Sequence, residues 1–221
     1  MSLVHGPLIA TSGLLTCLDA GNIKSYPGTG TTWYDLFNRN RTFSLNSGPT
    51  HTSGVGGYFT FDGVDDYGQS TTNILTGGVS TPFTLEAVAM TTTASSYQTV
   101  LGTAGTYRQI GFLSNSFYWG GNGGGGNLFV SGGSISANTW YHLVFTFDGT
   151  TGYGYLNGSQ TTGNIGSNGG TIGATLLSTY NAGSALERLT GRIALARVYN
   201  IALTSSQVLQ NFNAIRGRYG I

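Results

Sequence analysis

Charge is what this chain has least of. Charged residues make up 8% of its 221 positions, against about a quarter in an average domain, and the formal net charge is +1. That balance leaves no electrostatic footprint for nucleic acid or for an acidic membrane. The surface must be covered by Thr, Ser, Asn, Gln and backbone, which suits contact with neutral polymers or a place inside an assembly. Cys17 is the only cysteine, so an intrachain disulfide is excluded and the fold must be held by its core. No run reaches the roughly 18 apolar residues of a membrane span. The first residues, MSLVHGPLIATSG, lack a basic segment followed by a long apolar one, so the expectation is a chain without a secretion signal.

What the chain has is glycine and aromatics: 37 glycines, 12% aromatic and 39% apolar residues. That is ample for one packed core, and a β-sandwich of this length forms a single unit. Short runs of alternating apolar and polar residues, separated by Gly, Asn, Asp and Ser, predict an all-β protein. Strands are expected at Tyr58–Asp62, Phe83–Met90, Tyr97–Thr103, Tyr107–Leu113 (joined to the last around Gly105), Ser116–Gly120, Asn127–Val130 and Arg192–Tyr199. Trp140–Asp148 and Gly152–Asn157 form the clearest hairpin, with Asp148-Gly149 at its turn. One helix is expected: Thr204 and Gln207 have capping-box spacing, Val208, Leu209, Phe212 and Ile215 recur at helical intervals, and Gly217 is the expected stop.

Three segments together, YFTFDGVDDY (58–67), WYHLVFTFDGTTGYGYLNG (140–158) and GRIALARVYNIALTSSQVLQNF (191–212), resemble the laminin-G-like, concanavalin-A-like jelly-roll superfamily. The stretches 13–36 and 211–221 are similar to laminin-G-like domains of tailed-phage structural proteins. The resemblance implies a two-sheet antiparallel jelly-roll sandwich over 13–221, closed by a short C-terminal helix and preceded by an N-terminal arm, 1–12. It also implies a virion structural protein, decorating a capsid or forming part of a surface fibre. Its partners would be other virion proteins such as the major capsid protein; by its position and apolar content the arm is expected to dock on a capsid protein or on a sister subunit. The same fold hosts lectins and glucanases, so a glycan-binding adhesion module is the alternative and a glycoside hydrolase the remote one. A trimer or another homo-oligomer, or else a particle-bound form, is the expected state.

Catalytic members of the superfamily carry an E-x-D-x-E pattern on one strand, whereas this chain has only Glu86 and Glu187; the expectation is therefore a protein that is not an enzyme. Glu86 sits mid-strand, opposite Phe83 and Leu85, and a buried carboxylate there needs an ion-pair partner, expected in Arg197 or Arg192. Asp62, Asp65 and Asp66 crowd one turn; they either form local hydrogen bonds or hold Ca2+, as many members of the superfamily do at loop sites. Tyr118, Trp119 and Asn122, beside a glycine-rich loop, either contact a ligand such as a sugar face or close the core. Neither the glycine run nor His5, His51 or His142 has the companions of a phosphate or metal site. Cys17, among Leu14, Leu15 and Leu18, reads as a small buried hydrophobe.

Overall fold

The computed structural model describes residues 8–78, 80–93, 97–104, 108–123, 126–166, 173–179 and 187–221, with backbone alone at 122, 123 and 126–128. The strands are β1 (Leu14–Asp19), β2 (Thr32–Tyr34), β3 (Thr42–Asn46), β4 (Thr50–Thr52), β5 (Tyr58–Asp62), β6 (Tyr67–Ser70), β7 (Phe83–Thr91) and β8 (Tyr97–Thr103). They continue with β9 (Arg108–Leu113), β10 (Ser116–Gly123), β11 (Gly126–Ser134), β12 (Tyr141–Phe147), β13 (Gly152–Leu156), β14 (Ser159–Ile165), β15 (Thr175–Leu177) and β16 (Thr190–Tyr199), followed by helix α1 (Ser205–Tyr219). Two antiparallel eight-stranded sheets result. The first runs β14-β13-β12-β7-β16-β5-β4, with β1 also pairing β16; the second runs β11-β10-β9-β8-β15-β6-β3-β2. This is the expected all-β sandwich with one C-terminal helix.

The core lies between the sheets. Phe83, Leu85, Ala87 and Ala89 of β7 and Leu143, Phe145 and Phe147 of β12 meet Trp33, Phe43, Ile110, Phe112, Phe117 and Trp119 of the second sheet. Every residue of β7 and β12 is buried, the alternate ones included, because the outer face of the first sheet is covered in turn. Its cover is α1, which packs Val208 with Val144 and Tyr199, and Ile215 and Tyr219 with Val88 and Leu195. Both capping-box bonds at Thr204 and Gln207 are present. The expected stop at Gly217 is corrected: the helix runs on until Tyr219 is packed and ends at Gly220, whose φ of +68° is the left-handed cap glycine accepts at little cost.

Beneath α1 lies a buried polar knot. Glu86 Oε1 accepts from Arg197 Nη1 and His142 Nε2, both at 2.8 Å, while Oε2 accepts from Asn211 Nδ2 at 2.8 Å and the Tyr199 hydroxyl at 3.2 Å. Arg197 is thus the partner, as expected; Arg192 lies over the Tyr58 ring instead, 4.7 Å from its centroid. Burial alone would raise the Glu86 pKa, but the charge of Arg197 and the hydrogen bonds of His142 and Asn211 outweigh it and bring it down to about 2. Asn211 also accepts from the Ala10 amide at 2.7 Å, and Gln210 donates to the Leu8 carbonyl, so the described end of the expected arm lies on α1; residues 1–7 of it fall outside the described residues.

Candidate functional site

The sequence-predicted residues come first. Tyr118 and Trp119, expected either to contact a ligand or to close the core, are both fully buried. They alternate on β10, Trp119 entering the core while Tyr118 lies on the outer face of the second sheet beneath other rings. The side chain of Asn122 lies outside the described residues.

Asp62, Asp65 and Asp66 do converge, with one carboxylate oxygen of each within 4.8 Å of the others. Their local bonds are also made: Asp62 Oδ1 accepts from the Val64 amide at 2.8 Å, and Asp66 Oδ2 from the Asp62 amide at 3.0 Å. The backbone donors, led by Val64, hold Asp62 below the usual carboxylate range, while burial and the neighbouring acids push Asp66 above it. The three supply hard oxygen donors of the kind calcium takes, about half of the six to eight it needs.

A second constellation was not legible in the sequence. Register places Tyr118 opposite Gly111 and Gly111 opposite Thr99, so the Tyr118 ring crosses β9 to bring its hydroxyl within 3.0 Å of Thr99 Oγ1. Only glycine permits this, since a Cβ at Gly111 would lie 2.0 Å from the Gln98 carbonyl oxygen and 2.8 Å from Tyr118 Cε1. Tyr97 and Phe129 then stand edge-on to Tyr118, at 5.3 and 5.7 Å, with 6.1 Å between their own centroids. Tyr118 is the floor of an aromatic platform whose rim, Tyr97 at 39% exposure and the half-buried Phe129, faces outward.

Polar groups adjoin it. Glu187 Oε2 accepts from Gln109 Nε2 at 3.2 Å and from Thr99 Oγ1 at 3.1 Å, and the Glu187 carbonyl takes the Thr99 amide. Burial raises the Glu187 pKa against these two hydrogen bonds, and burial together with the Glu187 charge places Tyr118 well above the ordinary phenol range. Chemically this is a half-buried carboxyl, held by a buried amide and a buried hydroxyl, beside two outward rings. Tyr97, Phe129 and Glu187 escape a sequence reading because they come from β8, β11 and a segment 58 or more residues further on, joined only by sheet register. The faint signal was a glutamate in a chain with two of them.

A family model described as "Concanavalin A-like lectin/glucanases superfamily" matches residues 62–209. No curated protein matches the chain. Among solved structures, it is similar to Trypanosoma rangeli sialidase in complex with sialic acid at 15% identity and TM-score 0.70, covering 98% of this chain and 36% of that one. It therefore spans little more than a third of the sialidase it matches. The binding domain of Paraclostridial mosquitocidal protein 1 is similar at 14% identity and TM-score 0.68, with 91% and 52% covered. Domain 4 of an extracellular arabinanase from Geobacillus stearothermophilus, in complex with arabinotriose, is similar at 15% identity and TM-score 0.66, with 91% and 99% covered.

These likenesses are of fold. They overturn the expectation that the chain is not an enzyme, because sialidase chains contain this architecture and its presence beside hydrolase function removes the ground for exclusion. The expectation rested on counting carboxylates along single strands, and sites joined across strands and loops, as at Glu187, escape such a count. Glu86, one of the chain's two glutamates, is sealed beneath α1. With the sandwich and the matched span of residues 62–209 both in place, the chain belongs to the concanavalin A-like lectin/glucanase superfamily.

Proposed function

We propose that the chain is a carbohydrate-binding module whose contact surface is the Tyr97–Phe129 platform. The observation that carries this reading is the pair of outward rings held edge-on around buried Tyr118, with the half-buried Glu187 held beside them by the buried Gln109 and Thr99. A sugar ring has one apolar face and a rim of hydroxyls; it stacks on aromatic carbon while its rim meets amide, hydroxyl and carboxyl groups. Arabinotriose bound to the arabinanase domain and sialic acid bound to the sialidase give the reading its company. A chain with 8% charged residues must bind in this short-range way.

Screened on an array of neutral and sialylated oligosaccharides, the protein is expected to give reproducible hits. Tyr97→Ala should weaken them about tenfold, the scale of one lost stacking contact, without lowering the melting temperature. Hits that survive Tyr97→Ala unchanged would remove the platform from the reading.

The finer proposal is that this module is carried on a phage particle, as the resemblance of residues 13–36 and 211–221 implies, with virion proteins as its neighbours. Mass spectrometry of purified particles is expected to find it, and its absence there would end that part. Calcium at Asp62, Asp65 and Asp66 is the cofactor proposal, supported by the approach of their oxygens within 4.8 Å. Added calcium should raise the melting temperature and EDTA reverse the rise, and an unchanged melting curve would leave the three to their turn.

A further inference from the structure

The outer face of the first sheet carries a recess on the other side of the molecule from the Tyr97 platform. Its floor is the outer face of the β12–β13 hairpin: Thr146, Tyr153 and Tyr155. One wall is the segment Ala202-Leu203-Thr204 that leads into α1, and the opposite rim is the hairpin turn with Asp148 and Thr151. Its volume is about 230 Å³, below the roughly 300–1,000 Å³ of sites for drug-sized ligands and on the scale of a single ring.

The recess is built rather than incidental. Its wall is pinned to β7, because Thr84 Oγ1 donates to the Ile201 carbonyl at 2.8 Å and accepts from the Leu203 amide at 2.9 Å. Its rim is set by Asp148, whose Oδ1 accepts the amides of Thr150 and Thr151, both at 2.8 Å. Those two bonds fix the carboxylate and keep it ionised, leaving Oδ2 as an acceptor at the mouth. Tyr155 is buried in the floor, whereas Tyr153, also in the lining, is only half-buried.

We propose that this recess is a second sugar site, taking one neutral sugar ring between Tyr153 and Asp148, on the face opposite the Tyr97 platform. The inference rests on the carbohydrate-binding reading and extends it. The chemistry selects the ligand. Tyr153 offers an apolar surface for a ring face, Asp148 accepts from hydroxyls in charge-assisted bonds, and Thr151 and Thr204 supply hydroxyls of their own. The same carboxylate repels an acidic sugar, so the site discriminates by charge, where the platform has a carboxyl of raised pKa that is partly withdrawn into hydrogen bonds.

The test is a titration of the full chain with arabinotriose, with maltotriose and with sialic acid, following the tyrosine ring signals by NMR. The Tyr153 signals are expected to move with a neutral trisaccharide and to stay still with sialic acid. They should move equally in Tyr97→Ala, which disables the platform alone. Asp148→Asn retains the turn acceptor and loses the charge. It should bind the neutral trisaccharide about tenfold more weakly and lose its discrimination against sialic acid. If the Tyr97 signals respond and those of Tyr153 do not, the second site is overturned and the carbohydrate reading stands. If neither responds to either neutral trisaccharide, the second site falls whether or not sialic acid moves Tyr97, and a silent Tyr97 as well removes the platform.

Discussion

Glu86→Gln is expected to cost about 3–5 kcal/mol of folding stability, the range for breaking a buried ion pair by removing one partner. The wild-type carboxylate has all its partners: two charged or polar donors on Oε1, two neutral ones on Oε2. The amide keeps one acceptor oxygen and turns two hydrogens toward groups that are themselves donors. Arg197, only 4% exposed, would be left as a buried cation without its counter-charge. A domain of this kind is stable by about 5–15 kcal/mol, so the loss is a large fraction of the whole. Urea denaturation should show the midpoint falling with little change in slope. A Gln variant within about 1 kcal/mol of the parent would show that the knot is not what anchors α1.

The same carboxylate sets an acid limb. Its folded pKa, about 2, lies below the ordinary 4.5, so it contributes stability that is present above about pH 4.5 and lost as pH falls toward 2. Asp66 and Glu187 act in the opposite sense, since both are raised by burial and folding gains as they protonate. The parent should therefore lose stability between pH 4.5 and 2 by the balance of these groups. Glu86→Gln should lose the Glu86 share of the fall and keep both the shares of Asp62 and Asp148, which are also lowered, and the opposing part of Asp66 and Glu187. A variant whose acid limb matches the parent's would place the titrating group elsewhere.

The fold was legible where a rule acts over a few residues. Alternation in WYHLVFTFD and the Asp-Gly turn gave the β12–β13 hairpin, and Thr204 with Gln207 gave the start of α1. The need of a buried carboxylate for a cation gave Glu86 with Arg197. The end of the helix was not legible, because Gly217 and Gly220 are equally good stops locally and tertiary packing of Tyr219 decides between them. Short strands such as β2, β4 and β15, three residues each, have too few positions to show a period. The site failed for a different reason. Exposure of Tyr118 depends on what its neighbours across the sheet are, and those neighbours, Tyr97 and Phe129, are set by register between strands with two others between them. Alternation marks which side of a strand a residue takes. It does not say whether that side is covered, and in this molecule both sides of β7 and β12 are.

Trp119→Ala is the second large expectation, about 3–5 kcal/mol, the range for removing a buried aromatic from a packed core. The indole stacks on Phe117 at 5.2 Å and lies flat on the backbone of Gly154, from the opposite sheet. A Cβ at Gly154 would fall 2.4 Å from Trp119 Cδ2, and one at Gly132 would fall 3.2 Å from Cη2. Trp119 thus fills the space between β13 and β10–β11 that two glycines leave open, and alanine in its place would leave a void that rigid strands on both sides cannot close. For a chain of this length the loss corresponds to a melting temperature lower by about 6–20 °C. The contact also predicts its own reverse. Gly154→Ala overpacks the same point and should destabilise by about 1–3 kcal/mol, since the indole cannot move without pushing Phe117. In the double variant, Trp119→Ala with Gly154→Ala, the added methyl enters the void, so the combined loss should be smaller than the sum of the two. Additive losses would show that the indole and Gly154 do not share that space. A Trp119→Ala protein with the parent's melting temperature and weakened sugar binding would return this residue to the ligand-contact reading that its burial argues against.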